Sequence, residues 1–296
     1  MRRLPLRLLG VLGLFALLAL GCQLFPWSDQ VIYGALDYRI DRPRLLALAV
    51  DPPVLRSDLP VTFEALALAP GGARAGGGVW QTCGLSQDDW TMVWGLTCFT
   101  EGVDVSTLAS GNPAAWTPPA FDIACDTGGG GDFWGQPCGH FLPFLYQVDL
   151  GGRVVRGTFS ANVSAEEVEE PPTSLRHTPL QVTAGEPVDG EVALEAWIGA
   201  PYDSLSFRWY VDDGTLLDTG RTAVQGQRDD GTWSANRWVL PTAPGSYRAV
   251  VVVSGADGWS AEVKVDTAPP DTAPPGWSWP EAVDMTWALL TVEVPG

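Results

Sequence analysis

The sequence is poor in the residues that catalysis uses most often. It has two histidines, His140 and His177, and one lysine, Lys264, among 296 residues. No G-x-S-x-G nucleophile motif occurs, and Lys264 does not stand at S-x-x-K spacing from a serine. A serine-type hydrolase needs a nucleophile, a base and a group that orients the base. We therefore predict a protein that is not an enzyme and has no catalytic residues.

Basic residues are scarce as well, which restricts the possible partners. Lys and Arg together number 17 against 35 Asp and Glu, so the formal net charge is −18. A polyanion of this size is repelled by nucleic acid, and we expect no nucleic-acid partner. Charged residues make up only 18% of the chain and hydrophobic residues 46%, a composition typical of a chain that folds around an apolar core.

The long apolar run of the sequence is confined to its N-terminus. Arg2, Arg3 and Arg7 form a positive head, and the 13 residues from Leu8 to Leu20 are apolar. A helix needs roughly 20 such residues to cross a bilayer, so this run is too short to be a permanent span. A positive head, a short apolar run and a small residue are typical of a secretory signal peptide, which we place at residues 1–21.

The residues that end the apolar run resemble a lipoprotein processing site. Ala19-Leu20-Gly21-Cys22 is similar to the lipobox of bacterial lipoproteins. The resemblance implies that Cys22 is the lipid attachment site, that residues 22–30 form a tether, and that the membrane is a partner through the lipid. Gln23 stands where an aspartate would favour the inner membrane, so we expect the outer membrane of the cell envelope. Ordinary signal cleavage with an incidental Cys22 is the alternative.

Prolines and glycines divide the rest of the chain into short apolar segments without a helical period. The sequence contains 25 prolines and 34 glycines. Segments rich in Val, Thr, Trp and Tyr between such residues are typical of antiparallel strands. We predict an all-β protein with two immunoglobulin-like β-sandwich domains in tandem. The predicted boundaries are 31–165 for the first domain, 166–173 for a linker and 174–296 for the second domain, which carries a proline-rich insertion at 266–275.

A weak internal repeat supports two similar sandwiches. Each half has a strand, a proline-marked turn, an alternating strand and then a strand centred on tryptophan, which is Trp80 or Trp209. In an immunoglobulin-like sandwich, a tryptophan of strand C fills the space between the sheets. In the second half, Asp213-Gly214 predicts a tight hairpin between two strands. Tyr247 predicts a tyrosine corner before strand F, and Thr286 to Val294 predicts the last strand.

Four further cysteines, all in the first half, predict two disulfides. They are Cys83, Cys98, Cys125 and Cys138. An even number in an exported chain allows three connectivities, and we favour Cys83 with Cys98 and Cys125 with Cys138 because each pair encloses a short loop. Zinc is the alternative, but no pair has the spacing of two to four residues found in zinc knuckles. The glycine run between Asp126 and Asp132 lacks the pattern of an EF-hand or a phosphate loop, so we predict no metal and no cofactor.

Tryptophan is present in excess, with 14 copies in the chain. Besides the two predicted core residues, Trp197 and Trp238 lie in predicted strands. Four others lie in or near the cysteine-bearing insertion and form our candidate binding surface: Trp90, Trp94, Trp116 and Trp134. Flat aromatic faces suit sugar rings and proline-rich peptides. The alternative is a small satellite core beneath long loops.

A family resemblance supports this picture. The segment from Ile40 to Pro53, followed by Trp80-Gln81-Thr82-Cys83, resembles the opening of immunoglobulin-like domains in uncharacterised Gram-negative lipoproteins. The resemblance implies an immunoglobulin-like or PKD-like surface domain without an established activity. We expect a lipid-anchored cell-envelope protein that acts as a non-enzymatic binding or structural module, with a protein or a glycan as ligand. The alternatives are a carbohydrate-binding or carbohydrate-active surface protein, the latter using an Asp/Glu pair, and a passive subunit of an envelope assembly.

Overall fold

The regular structure in the described part of the chain is β-strand with two short 3₁₀ turns. The computed structural model describes residues 38–53, 55–56, 59–72, 76–83, 105–119, 139–164, 174–199, 205–218, 224–228, 231–255, 277–278 and 281–296. The 3₁₀ turns are Pro70–Gly72 and Leu175–His177. Within these ranges, no helix has the length and apolar character needed to cross a membrane. The predicted all-β class is confirmed, whereas the predicted signal peptide, the linker and the proline-rich insertion lie outside the described residues.

The first half of the chain forms a sandwich of two sheets. Its strands are β1 Arg44–Asp51, β2 Leu55–Arg56, β3 Val61–Leu68, β4 Val79–Cys83, β5 Val105–Ser110, β6 Ala114–Trp116, β7 Gly139–Asp149 and β8 Val154–Ser164. One sheet contains β1-β3-β6, and the other contains β8-β7-β4-β5 with β2 parallel to β8. In immunoglobulin terms, β1, β3 and β6 take the places of strands A, B and E. The other sheet corresponds to strands G, F, C and C′.

Trp80 lies at the centre of the first core. The residue is fully buried on β4, and its ring centroid is 5.0 Å from that of Phe63 and 4.4 Å from that of Tyr146. The indole Nε1 donates a hydrogen bond to the carbonyl of Gly111 at 3.1 Å, so its polar atom is satisfied inside the core. The prediction that Trp80 is the core tryptophan of its half is confirmed.

The second half forms another sandwich and adds two short strands. The strands are β9 Leu180–Ala184, β10 Glu191–Ile198, β11 Leu205–Val211, β12 Thr215–Leu216, β13 Val224–Arg228, β14 Gly231–Val239, β15 Gly245–Gly255, β16 Trp277–Ser278, β17 Glu281–Val283 and β18 Met285–Val294. One sheet has the order β9-β10-β14 with β12 and β13 both beside β14, and the other is β11-β15-β18. This is the ABED and CFG arrangement of a seven-stranded immunoglobulin sandwich, with strand D in two pieces.

Three predictions for the second sandwich are confirmed. Trp209 is buried on β11, and its Nε1 donates to Ser234 Oγ at 3.2 Å. The hydroxyl of Tyr247 donates to the carbonyl of Ala243 at 3.0 Å while its ring packs on the core, which is the expected tyrosine corner. The last strand β18 includes the whole segment predicted from Thr286 to Val294.

The predicted hairpin at Asp213-Gly214 is wrong. Strand β11 pairs with β15, whereas β12 pairs with β14, so the chain crosses from one sheet to the other at this corner. Gly214 does have the positive φ that the sequence indicated, at 86°. The chain crosses here because Leu216 of β12 lies in the sheet opposite β11 and is buried there. In addition, Trp238 Nε1 donates a hydrogen bond to the carbonyl of Asp213 at 2.9 Å. Local turn chemistry cannot distinguish this corner from a hairpin.

Each sandwich also pairs with a short segment from the opposite end of the described chain. At the edge of β11, Ile40 N donates to Val211 O at 2.8 Å, and Val211 N donates to Tyr38 O at 3.0 Å. Conversely, β16 lies parallel to β8 and β17 lies parallel to β1. The segment 38–40 thus extends a sheet of the second sandwich, and β16 and β17 extend one sheet each of the first. The division into two domains at 166–173 stays a prediction.

A third apolar cluster joins the two sandwiches. Its residues are Ile40, Leu46, Ala47, Ala49, Leu66, Leu68, Tyr210, Val250, Val252, Met285 and Trp287. Strand β15 shows how it is built, because Val251 enters the second core while Val250 and Val252 enter the joining cluster. A strand that is buried on both faces has no polar alternation, which explains the apolar run of β1 as well. The residues from 38 onward accordingly form one compact unit.

Candidate functional site

Most of the predicted site residues lie outside the described part of the chain. These are Cys22, Cys98, Cys125, Cys138, Trp90, Trp94 and Trp134. Cys83 is buried at the end of β4. Trp116 is partly buried on β6 and packs against the first core, with its ring centroid 6.1 Å from that of Phe63 and 5.8 Å from that of Phe144. The lipid attachment, the disulfides and the surface formed by the loop tryptophans stay predictions.

One group of charged side chains holds the 3₁₀ turn Leu175–His177 against the first sandwich. Arg176 forms an ion pair with Glu64 of β3, and its guanidinium carbon lies 4.3 Å from the centroid of the Trp287 ring. His177 Nε2 lies 2.7 Å from Oδ2 of Asp51 on β1. These contacts place His177 in a structural junction at the surface, where 66% of its side chain is exposed.

A second ion pair lies beside the 3₁₀ turn Pro70–Gly72. Arg248 of β15 donates from Nε to Asp212 Oδ2 at 2.8 Å and from Nη2 to Asp212 Oδ1 at 2.7 Å. The same Nη2 lies 3.4 Å from the carbonyl oxygen of Ala69, which belongs to the first half. Only 15% of the Arg248 side chain and 13% of the Asp212 side chain are exposed. This pair therefore contributes to the contact between the two sandwiches.

A cavity of about 730 Å³ lies beside the glycine loop that precedes β4. It is lined by Gly76–Val79, Gln147–Gly151, Val154 and Arg156. The hydroxyl of Tyr146 donates to the carbonyl of Gly77, and burial raises the pKa of Tyr146 to about 12, so this hydroxyl stays protonated at neutral pH. Arg156 Nε donates to Gln147 Oε1 at 3.3 Å, and Asp149 Oδ1 accepts from Gly152 N at 2.7 Å. The polar groups of this region thus stabilise its own loops.

The outer face of the β9-β10-β14-β13 sheet carries two tryptophans side by side. Trp197 of β10 and Trp233 of β14 are directly opposite each other in the antiparallel ladder. Gln181 of β9 is opposite Trp197, and Gly226 of β13 is opposite Trp233. Both tryptophans are partly exposed. We call these four residues the tryptophan row.

The period of the strands turns both tryptophans away from the second core. In β10, Val192, Leu194, Ala196 and Ile198 enter that core. Successive side chains of a strand point to opposite faces, so Trp197 lies on the outer face. In β14, Thr232, Ser234, Asn236 and Trp238 are buried, so Trp233 lies on the outer face too.

Glycines allow the two indoles to lie against the sheet. A Cβ placed on Gly226 would stand 2.8 Å from Trp233 Nε1 and 3.1 Å from its Cε2. A Cβ placed on Gly199 would stand 2.7 Å from Trp197 Cη2, and one on Gly231 would stand 3.0 Å from Trp197 Nε1. One side of each ring therefore rests on backbone that has no side chain. Both rings remain partly exposed.

Sequence reasoning missed this row. It placed Trp197 in a strand but gave it no surface role, and it made no assignment for Trp233. The alternation of Val192, Leu194 and Ala196 is a usable signal, because it puts Trp197 out of phase with the core residues. No such signal exists in β14, where the inward residues include Thr232 and two other polar side chains. The pairing of the two strands then brings the indoles together.

Strand order and pairing define the class of the protein as immunoglobulin-like β-sandwich. No protein-family model matches the chain, and no curated protein matches it. Among solved structures, elastase-activated alpha-2-macroglobulin from Escherichia coli is similar over 85% of this chain and 22% of its own, with 12% identity and a TM-score of 0.25. Methylamine-reacted alpha-2-macroglobulin from Salmonella is similar over 86% of this chain and 16% of its own, with 14% identity and a TM-score of 0.24.

A cell adhesion protein gives a similar result. The eight N-terminal Ig domains of Down Syndrome Cell Adhesion Molecule are similar over 70% of this chain and 22% of their own, with 12% identity and a TM-score of 0.19. This chain spans about a fifth of the length of the macroglobulin from Escherichia coli. None of these likenesses bears on function.

Proposed function

We propose that the protein is an exported, lipid-anchored cell-envelope protein that acts as a non-enzymatic binding module. The observation that carries this proposal is the tryptophan row, an aromatic contact surface on the outer face of an immunoglobulin-like sheet. Sandwiches of this class present loops and sheet faces for contact while their cores supply rigidity. The lipid anchor rests on the signal-like segment 1–21 and on Cys22.

The rigidity of the strands that carry the tryptophan row favours a binding role. Trp197 and Trp233 lie on two strands that are paired over eight residues each, so their backbone positions are fixed by the ladder. The joining cluster and the Arg248–Asp212 pair connect the two sandwiches along one face of β15. A contact surface on rigid strands loses little conformational freedom when it binds.

Replacing Cys22 with serine should abolish acylation of the protein. In cells fed an alkyne-tagged fatty acid, we expect the full chain to be labelled and Cys22→Ser to lose the label completely. Two or more acyl chains hold a protein at a membrane almost irreversibly, because each buried methylene contributes about 0.8 kcal/mol. Cys83→Ser is the matched control and should keep the label. Labelling of Cys22→Ser at the level of the natural chain would contradict the lipid anchor.

We propose that Cys83 pairs with Cys98 and Cys125 with Cys138. The burial of Cys83 at the end of β4 supports a structural role for this cysteine. Each bridge should stabilise the fold by about 3 kcal/mol through restriction of the unfolded chain. Peptide mapping of protein purified with a thiol-blocking reagent should find these two linked pairs and no alkylated cysteine among the four. Four alkylated thiols, or different linked pairs, would show the assignment to be wrong.

A further inference from the structure

We propose that the tryptophan row is a binding site for a neutral glycan chain. The inference rests on the proposed role as a binding module and names the ligand class. The site consists of the indoles of Trp197 and Trp233 with Gln181 at one end of the row and Gly226 at the other. Each component matches a property of a sugar ring.

The two indoles provide the apolar part of the site. Sugar rings have flat faces of C–H groups, and these pack on the π-face of an aromatic side chain. Trp197 and Trp233 rest on Gly199 and Gly226, so each ring has one side against the sheet. The row is bordered by Ala235, the residue two positions after Trp233 on the same face. A chain of sugar residues can therefore lie across β10 and β14.

Polar side chains next to the indoles can hydrogen-bond the sugar hydroxyls. The amide of Gln181 both donates and accepts, and it lies directly across from Trp197. In the next row of the same face, Thr183 is opposite Glu195, and both residues are exposed. An amide, a hydroxyl and a carboxylate beside aromatic rings suit a ligand with many hydroxyls.

The charge of the molecule argues for a neutral glycan over an anionic one. The chain has a formal net charge of −18, which repels polyanions. On this face, Glu191 and Glu195 are exposed carboxylates. Arg237 on the same face is paired with Asp218 at 3.5 Å and with Glu191 at 4.0 Å. An acidic polysaccharide would meet like charge here.

The size of the row argues against a protein partner. A tryptophan buries about 150–250 Å² when it is fully covered, so two indoles offer at most about 500 Å². Stable protein interfaces cover about 800 Å² per partner. Trp197 and Trp233 are already partly covered by their own sheet. These two rings alone therefore fall short of a standard protein interface, and their area matches that of a few sugar residues.

Affinity electrophoresis of the full chain in mild non-ionic detergent tests the site. The gels contain hydroxyethylcellulose, galactomannan or dextran as neutral probes and alginate as the anionic probe. We expect at least one neutral polysaccharide to retard the natural chain. Trp197→Ala and Trp233→Ala should each weaken the apparent affinity about tenfold, and the double variant should not be retarded. Phenylalanine at either position should restore much of the binding, because it retains an aromatic face.

Gly226→Ala tests whether glycan binding depends on the orientation of the Trp233 ring and not only on its presence. This variant keeps both indoles, but its Cβ would stand 2.8 Å from Trp233 Nε1, so the ring must move off the sheet. Gly226 has no positive φ, and the backbone accepts alanine. We expect a severalfold loss of affinity with little change in the urea midpoint. Val188→Ala, at a residue that is 67% exposed in the same sandwich, is the control and should bind normally.

Four results would overturn the glycan site. They are no retardation by any of the three neutral probes, retardation only by alginate, retardation that survives the double tryptophan variant, and loss of a stoichiometric protein partner in that variant without glycan binding. Fatty-acid labelling of the double variant is measured in parallel. Intact labelling without glycan binding would reject the site alone, whereas absent labelling of the natural chain would reject the proposed lipid anchor.

Discussion

Asp212→Ala is expected to lower the free energy of unfolding by about 3–5 kcal/mol, the usual cost of removing one partner of a buried ion pair. Both side chains of the pair are mostly buried, with 15% exposed for Arg248 and 13% for Asp212. Asp212 accepts two hydrogen bonds from the guanidinium at 2.7 and 2.8 Å. Its Oδ2 also accepts from the backbone N of Arg248 at 3.2 Å. Without the carboxylate, a cation remains in a site that water reaches poorly.

The neighbouring carboxylate supplies the control for this prediction. Asp213 is 58% exposed, and its pair with Arg39 spans 3.9 Å, so Asp213→Ala should cost about 1 kcal/mol or less. Urea unfolding of the full chain, followed by circular dichroism, measures both variants. The double variant Asp212→Leu with Arg248→Met should regain most of the loss, because apolar side chains of similar volume often replace a buried pair without cost. An Asp212→Ala midpoint equal to that of Asp213→Ala would contradict the assigned role.

Local patterns were sufficient to predict the fold class and several of its landmarks. Trp209 and Tyr247 were assigned correctly because each is defined by its immediate neighbours: a strand of alternating residues in one case and a proline-glycine corner in the other. The same is true of the last strand β18. These features depend on residues within about ten positions of one another.

Contacts between distant parts of the chain could not be predicted in this way. The parallel pairing of β17 with β1 joins residues more than two hundred positions apart, and neither strand carries a signal for the other. The apolar run from Leu45 to Val50 did contain a hint, because a strand without polar alternation is buried on both faces. This pattern predicts that another part of the protein covers the outer face of β1. It does not identify β15 and β18 of the second sandwich as that part.

The candidate surface shows a different limit of sequence reasoning. The sequence favours the tryptophans of predicted loops as a contact surface because loops often carry function, whereas the tryptophan row lies on a sheet. The sequence of β14 does not indicate which of its faces is buried, because the polar residues Ser234 and Asn236 point into the core. Their hydrogen-bond partners come from distant parts of the chain. Ser234 accepts the indole hydrogen of Trp209, and Asn236 Oδ1 accepts from the backbone N of Asp218 at 3.2 Å. Polar inward residues reverse the usual inference from alternation.

Gly214→Ala is expected to be about as destabilising as the loss of the buried ion pair, at about 2–5 kcal/mol from backbone strain and overpacking together. Alanine at a φ of 86° costs about 1–2 kcal/mol in the left-handed region. In addition, its Cβ would stand 2.3 Å from the carbonyl oxygen of Val239 and 2.7 Å from Trp238 Nε1. The carbonyl belongs to β14 and cannot yield without disturbing the ladder, so the corner itself must move. That movement would break the hydrogen bond from Trp238 Nε1 to Asp213 O.

Gly190→Ala is the matched variant that isolates this steric effect. Gly190 has a φ of 80°, close to that of Gly214, but no atom lies within 4 Å of the position its Cβ would take. Its loss should be limited to the backbone cost of about 1–2 kcal/mol. Urea unfolding of both variants in the full chain gives the difference directly, and we expect Gly214→Ala to lose about 1–3 kcal/mol more, which is the cost of overpacking. Equal losses would mean that the crossing between the two sheets tolerates a side chain at Gly214, and that the close approach of Val239 does not fix the corner.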